Sequence, residues 1–124
     1  MMILGQKREE MIGQLKLSQL LERLTAGERI HEELEYRCLP LRYSLEPEDF
    51  SPAGLDVVPL WESESAITGF YVDNDSKPVV VHYHVEDLDD YRVIGRSPAD
   101  LVEFLVEEYV DQNHEDEVRA LLLQ

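Results

Sequence analysis

Between Leu55 and Ile94 the apolar period changes from 3.6 to 2, in four short runs whose separators are too short to hold a crossover. The runs are Leu55–Trp61, Ala66–Val72, Pro78–Val85 and Tyr91–Ile94, all rich in β-branched or aromatic residues. Between them lie Glu62-Ser63-Glu64-Ser65, Asp73-Asn74-Asp75-Ser76-Lys77 and Glu86-Asp87-Leu88-Asp89-Asp90. Parallel neighbours need a connection of about a dozen residues, so these runs predict an antiparallel meander. Pro59 has no amide hydrogen to give a ladder, which predicts an edge strand or a bulge for the first run.

On both sides of this segment the apolar period is 3.6. Over residues 7–24, Leu17, Leu20, Leu21 and Leu24 share one helix face, extended by Met11, Ile12 and Leu15. Thr25-Ala26-Gly27-Glu28 has the form of a capping box, with Thr25 accepting from the Glu28 amide. It predicts a second helix from residue 26, with Ile30, Leu34 and Cys38 inward, ending before Pro40. Residues 39–54, with Pro40, Pro47, Pro52 and Gly54, read as an irregular connection pinned by Leu41, Tyr43, Leu45 and Phe50. Ser97-Pro98-Ala99-Asp100 supplies an N-cap, proline at N1 and an acid at N3 for a helix carrying Val102, Leu105, Val106 and Tyr109. Asn113 is the expected cap of a last helix with Val118, Leu121 and Leu122 inward. The expectation is one α+β domain over 1–124: helices in 1–38, the connection 39–54, an antiparallel sheet in 55–95, and helices in 97–123 packed on one sheet face.

Charge is divided unevenly. Residues 1–44 hold seven Lys/Arg and seven Glu, whereas residues 45–124 hold four Lys/Arg and twenty Asp/Glu, so the net charge of −16 all falls after residue 44. A pI of about 4.4 disfavours nucleic acid and anionic membrane as direct ligands, because phosphate contacts need clustered Lys/Arg. Such a field attracts cationic partners, and it also serves solubility. The apolar stretch at Met1–Leu4 is too short for a signal peptide, and no run reaches membrane-spanning length. The lone Cys38 forms no internal disulfide and reads as an inert thiol, in keeping with a reducing, cytoplasmic setting.

His82-Tyr83-His84-Val85-Glu86 is the sharpest chemical signal. Strand alternation puts His82, His84 and Glu86 on one side, about 6–7 Å apart in steps of two. Two imidazoles and a carboxylate are a known metal donor set, the basis of an alternative reading as a small metal-dependent enzyme. Only His31 and His114 remain as further imidazoles, and the plainer reading buries Val79, Val81, Tyr83 and Val85 with the histidines outward. No metal and no cofactor is therefore expected. Asp73–Ser76 and Asp87–Asp90 lack the glycine and closing glutamate of an EF-hand loop and read as hairpin turns. No phosphate loop, serine elbow or Cys/His zinc set is present, so no catalytic residue is assigned.

In a meander, alternate turns share one end of the sheet. Glu62, Glu64, Glu86, Asp87, Asp89 and Asp90 would then form one acidic patch, with Asp73 and Asp75 at the opposite end. Trp61 and Tyr71 fit either a core or an interface, and Trp61 is the candidate anchor beside the acids.

Ile67-Thr68-Gly69-Phe70-Tyr71-Val72, a polar turn, Val79–His84 and Glu86 are followed by Val93-Ile94-Gly95-Arg96-Ser97 and a helix with Phe104-Leu105. With Leu39-Pro40 and Tyr43 upstream, this order resembles the SUKH superfamily of Smi/Knr-type domains found among bacterial immunity proteins. The chain departs from that pattern in lacking an Asn-Gly-Gly segment after Leu39-Pro40 and in carrying His84 where tryptophan is common. The resemblance implies a non-enzymatic protein-binding domain that neutralises a toxin. Joined to the charge, it gives the expectation of a bacterial immunity protein whose acidic edge captures a basic, nuclease-type toxin. A generic acidic scaffold or regulatory domain is the further alternative.

Overall fold

The computed structural model describes residues 2–26, 28, 34, 51–63 and 66–123. The helix expected over 26–38 with Ile30 and Cys38, most of the 39–54 connection, His31 and Glu64 lie outside these residues. Two N-terminal helices, α1 (Gly5–Gln14) and α2 (Gln19–Thr25), precede four strands, β1 (Val58–Ser63), β2 (Ala66–Val72), β3 (Pro78–His84) and β4 (Asp87–Gly95). Then come α3 (Pro98–Tyr109), a 3-10 turn (Gln112–His114) and α4 (Glu115–Leu122). The sheet order is β1-β2-β3-β4 with every pair antiparallel, the expected α+β meander.

The single helix expected over 7–24 is two helices. Lys16 takes a left-handed φ of 56°, and Ser18 then caps α2 by accepting from the Leu21 amide. A serine four residues past the end of α1 restarts the helix more cheaply than continuing it, because it satisfies an orphan donor. The Thr25–Glu28 capping box does not form either. Thr25 ends α2 and donates its hydroxyl to the Glu22 carbonyl, while the Glu28 amide goes to the Arg23 carbonyl. At α3 the expected cap is present: the Ser97 hydroxyl accepts from the Asp100 amide, and Asp100 accepts from the Ser97 amide. Donation to Asp100 by the Arg96 amide, then by the Ser97 hydroxyl, holds this carboxyl below the usual range. Near α4 the cap is Asp111, accepting from the Asn113 amide, and not Asn113 itself.

Across β1, β2 and β3 both faces of the sheet carry buried residues, whereas β4 is largely exposed. On one face, Val58, Leu60, Trp61, Phe70 and Val80 meet residues of α1, α2, α3 and α4, including Ile12, Leu21, Leu101, Leu105 and Leu122. On the other, Ile67, Val79, Val81 and Tyr83 join Met2 and Val57. This is why Val79, Val80 and Val81 are all buried although adjacent strand residues point oppositely. The expected proline bulge lies between Pro59 and Trp61, and it turns both Leu60 and Trp61 into the helix-side core. Arg8 of α1 reaches this bulge, donating from Nε to the Pro59 carbonyl at 2.6 Å and from Nη2 to the Leu60 carbonyl at 3.1 Å. Beside β1, Met2 pairs in parallel with Val57, and the Ile3 amide donates to the Val57 carbonyl.

Candidate functional site

Short hairpins bring the two ends of the meander to defined places. The register aligns Ser63, Ala66, His84 and Asp87 across all four strands, so the β1–β2 and β3–β4 connections share one end. The β2–β3 turn lies at the other. There Asp73 Oδ1 accepts from the Asp75 and Lys77 amides, Ser76 takes a φ of 61°, and Asp73 Oδ2 pairs with Arg96 at 2.5 Å. That guanidinium, with the Lys77 amide, draws the Asp73 carboxyl below its ordinary range. Asp73 is thus a turn-forming side chain with its charge matched.

The acids expected in the third turn are placed differently. The turn is only Val85-Glu86, and Asp87, Asp89 and Asp90 belong to β4 at the sheet's edge. Leu88 points to the second core cluster, and Glu86, Asp87, Asp89 and Asp90 are exposed. Between the pairs His84–Asp87 and His82–Arg92 the strand carries three more residues than β3 does, and a bulge follows at Val81–Val93. The irregular ladder lets Asp89 and Asp90 both face water. Charge and bulges at an edge also discourage pairing with another chain.

Two other candidates leave the surface. Glu62 is 5% exposed and Trp61 0%, so in this structure neither lies on a surface that a partner meets. Trp61 is core, its Nε1 without a hydrogen-bond acceptor among the described residues. Tyr71 is half-buried against the second cluster.

The arginines on this half of the molecule are already engaged. Arg92 Nη1 meets Glu108 at 2.6 Å, Arg96 meets Asp73, and Arg119 Nε meets Glu103 at 2.7 Å. Among the described residues, no such pair reaches Glu86, Asp87, Asp89 or Asp90. Their charge has no cationic side chain paired with it among the described residues.

The histidines do not simply face outward. His82 lies on the helix side of β3, with its ring 5.1 Å from that of Phe104 in α3 and its Nδ1 2.9 Å from the Thr68 hydroxyl. His84 is exposed, edge-on to His82 at 6.0 Å. Arg92 sits over the Phe104 ring at 5.2 Å. Burial, reinforced by His84 and Arg92 and opposed by Glu108, lowers the His82 pKa to about 4. Glu86 stands in the turn, and no group of three His, Cys, Asp or Glu among the described residues is arranged to hold a metal ion. His82, His84 and Glu86 therefore form no ligand set, and the donor triad suggested by strand alternation is not assembled. The signal missed in the sequence was Thr68, the cross-strand partner of His82 and two positions from Phe70 on the same face of β2.

No helix among the described residues is long and apolar enough to cross a membrane. Comparison with family models, with curated proteins and with solved structures finds no match to this chain.

Proposed function

We propose that this chain is a non-enzymatic binding domain that meets a cationic protein through the acidic edge formed by Glu86, Asp87, Asp89 and Asp90. The supporting observation is that these four exposed carboxylates lack a cationic partner within the described domain while Arg92, Arg96 and Arg119 are committed elsewhere. Opposite charge across such an edge accelerates encounter and fixes orientation. With the resemblance to SUKH domains, the partner class is a basic, nuclease-type toxin and the role that of a bacterial immunity protein acting in the cytoplasm. The test is association with the toxin candidate encoded by the adjacent gene. Changing Asp87, Asp89 and Asp90 together to Asn should slow association by about tenfold at low salt and flatten its salt dependence, with little change in dissociation. An association rate equal to that of the unaltered protein removes this reading.

A second reading has its own observation: β4 is an edge strand interrupted by bulges and guarded by aspartates. If the acids serve only to keep edges apart, the triple Asn variant will associate with itself on concentration while its encounter with the basic protein is unchanged.

A further inference from the structure

We propose that His82 is a pH-sensitive latch between the sheet and α3, closed while its imidazole is neutral and released when it takes up a proton. His82 occupies the seam where β2, β3, β4 and α3 meet: Thr68 engages its Nδ1, and Phe104 packs against its ring. The charged or titratable groups facing it are His84 from β3, Arg92 from β4 and Glu108 from α3. Glu108 favours a second positive charge, but Arg92 already takes its Oε1 at 2.6 Å and lies over the same phenyl ring. A proton on His82 would thus add a cation beside Arg92 in a partly buried seam. Thr68 can still accept from a protonated Nδ1, so the penalty comes from lost hydration and like charge rather than a broken hydrogen bond.

The direction follows from linkage. An opened His82 titrates near the ordinary 6.5 and a closed one near 4, so the open form binds more protons between those values. Closure is fully favoured above about pH 6.5, and it weakens as pH falls until the closed imidazole also titrates. Discounted for partial exposure, the open population should rise about tenfold between about pH 7 and pH 5.

Two measurements on the whole chain test this. The ring-proton NMR titration of His82, needing no substitution, should give a midpoint below about 5.5, and a midpoint at or above that value overturns the proposal. Amide exchange across Leu101–Tyr109, corrected for its intrinsic pH dependence, should gain the tenfold opening in the unaltered protein and in His84→Asn, and lose it in His82→Gln. Equal acid-induced opening in His82→Gln, or exchange that rises equally in β2 and α3, would assign the effect to general acid destabilisation.

Discussion

Gly69 shows how much one missing carbon decides. It sits opposite Pro59 in the β1–β2 ladder, and a Cβ there would lie 2.5 Å from the Val58 carbonyl oxygen and 3.0 Å from the Pro59 Cα. Both are backbone atoms that no rotamer change can move. Gly69→Ala should therefore push β1 outward and cost about 2–3 kcal/mol, read as a lower urea midpoint with an unchanged slope. An alanine tolerated within about 0.5 kcal/mol would mean that the strands close less tightly than this. At the same scale, Trp61 marks where alternation loses its hold. Counting by twos from Pro59 gives Trp61 the same side as the proline, but the bulge inserts a residue between them and turns the indole into the core. The proline made a bulge readable in advance; the direction of its outgoing side chains depends on which residue is extruded, and no local pattern encodes that.

Among the elements, α3 was the most legible, because cap, proline and apolar face all specify the same start and the same buried stripe. Ser97→Ala should cost about 1 kcal/mol, measured by thermal or denaturant unfolding, since it strips the acceptor from the Asp100 amide. Gly95 adds a constraint to this cap: a Cβ on it would lie 2.4 Å from the Asp100 carboxylate. The break at Lys16–Ser18 was hidden by leucines that keep helical spacing through it. The Asp87–Asp90 part of β4, ahead of the expected run Tyr91–Ile94, was hidden for the opposite reason. Its aspartates look like a turn because interior strands exclude them, yet an edge strand tolerates charge on its exposed positions, and Leu88 alone supplied the inward signal. For β3, alternation distinguished two sides correctly but could not tell that both are covered. His82 was therefore expected in water and is found against Phe104.

At the level of the whole molecule, antiparallel order followed from separator length, but the acidic patch was not placed by that order alone: Glu62 is buried, and Asp87, Asp89 and Asp90 lie along β4 rather than in a turn. What composition could not reveal was which of the twenty acids after residue 44 remain unmatched, because that depends on contacts such as Arg92–Glu108 and Arg119–Glu103, both sixteen residues apart in sequence. The reach of Arg8 to the Pro59 and Leu60 carbonyls, across 51 and 52 positions, bears on the order of events when the chain folds. Each hairpin closes a loop of a few residues and can form within microseconds, whereas this clasp must wait for the chain's two distant parts to meet. It belongs to the late side of the barrier. Arg8→Met should accordingly raise the unfolding rate by about tenfold and leave the refolding rate nearly unchanged in stopped-flow experiments. A matching slowdown of refolding would place the meeting of α1 and β1 in the nucleus instead. With the clasp late, the fold's lifetime is set from its first helix while its speed of formation is set by the meander.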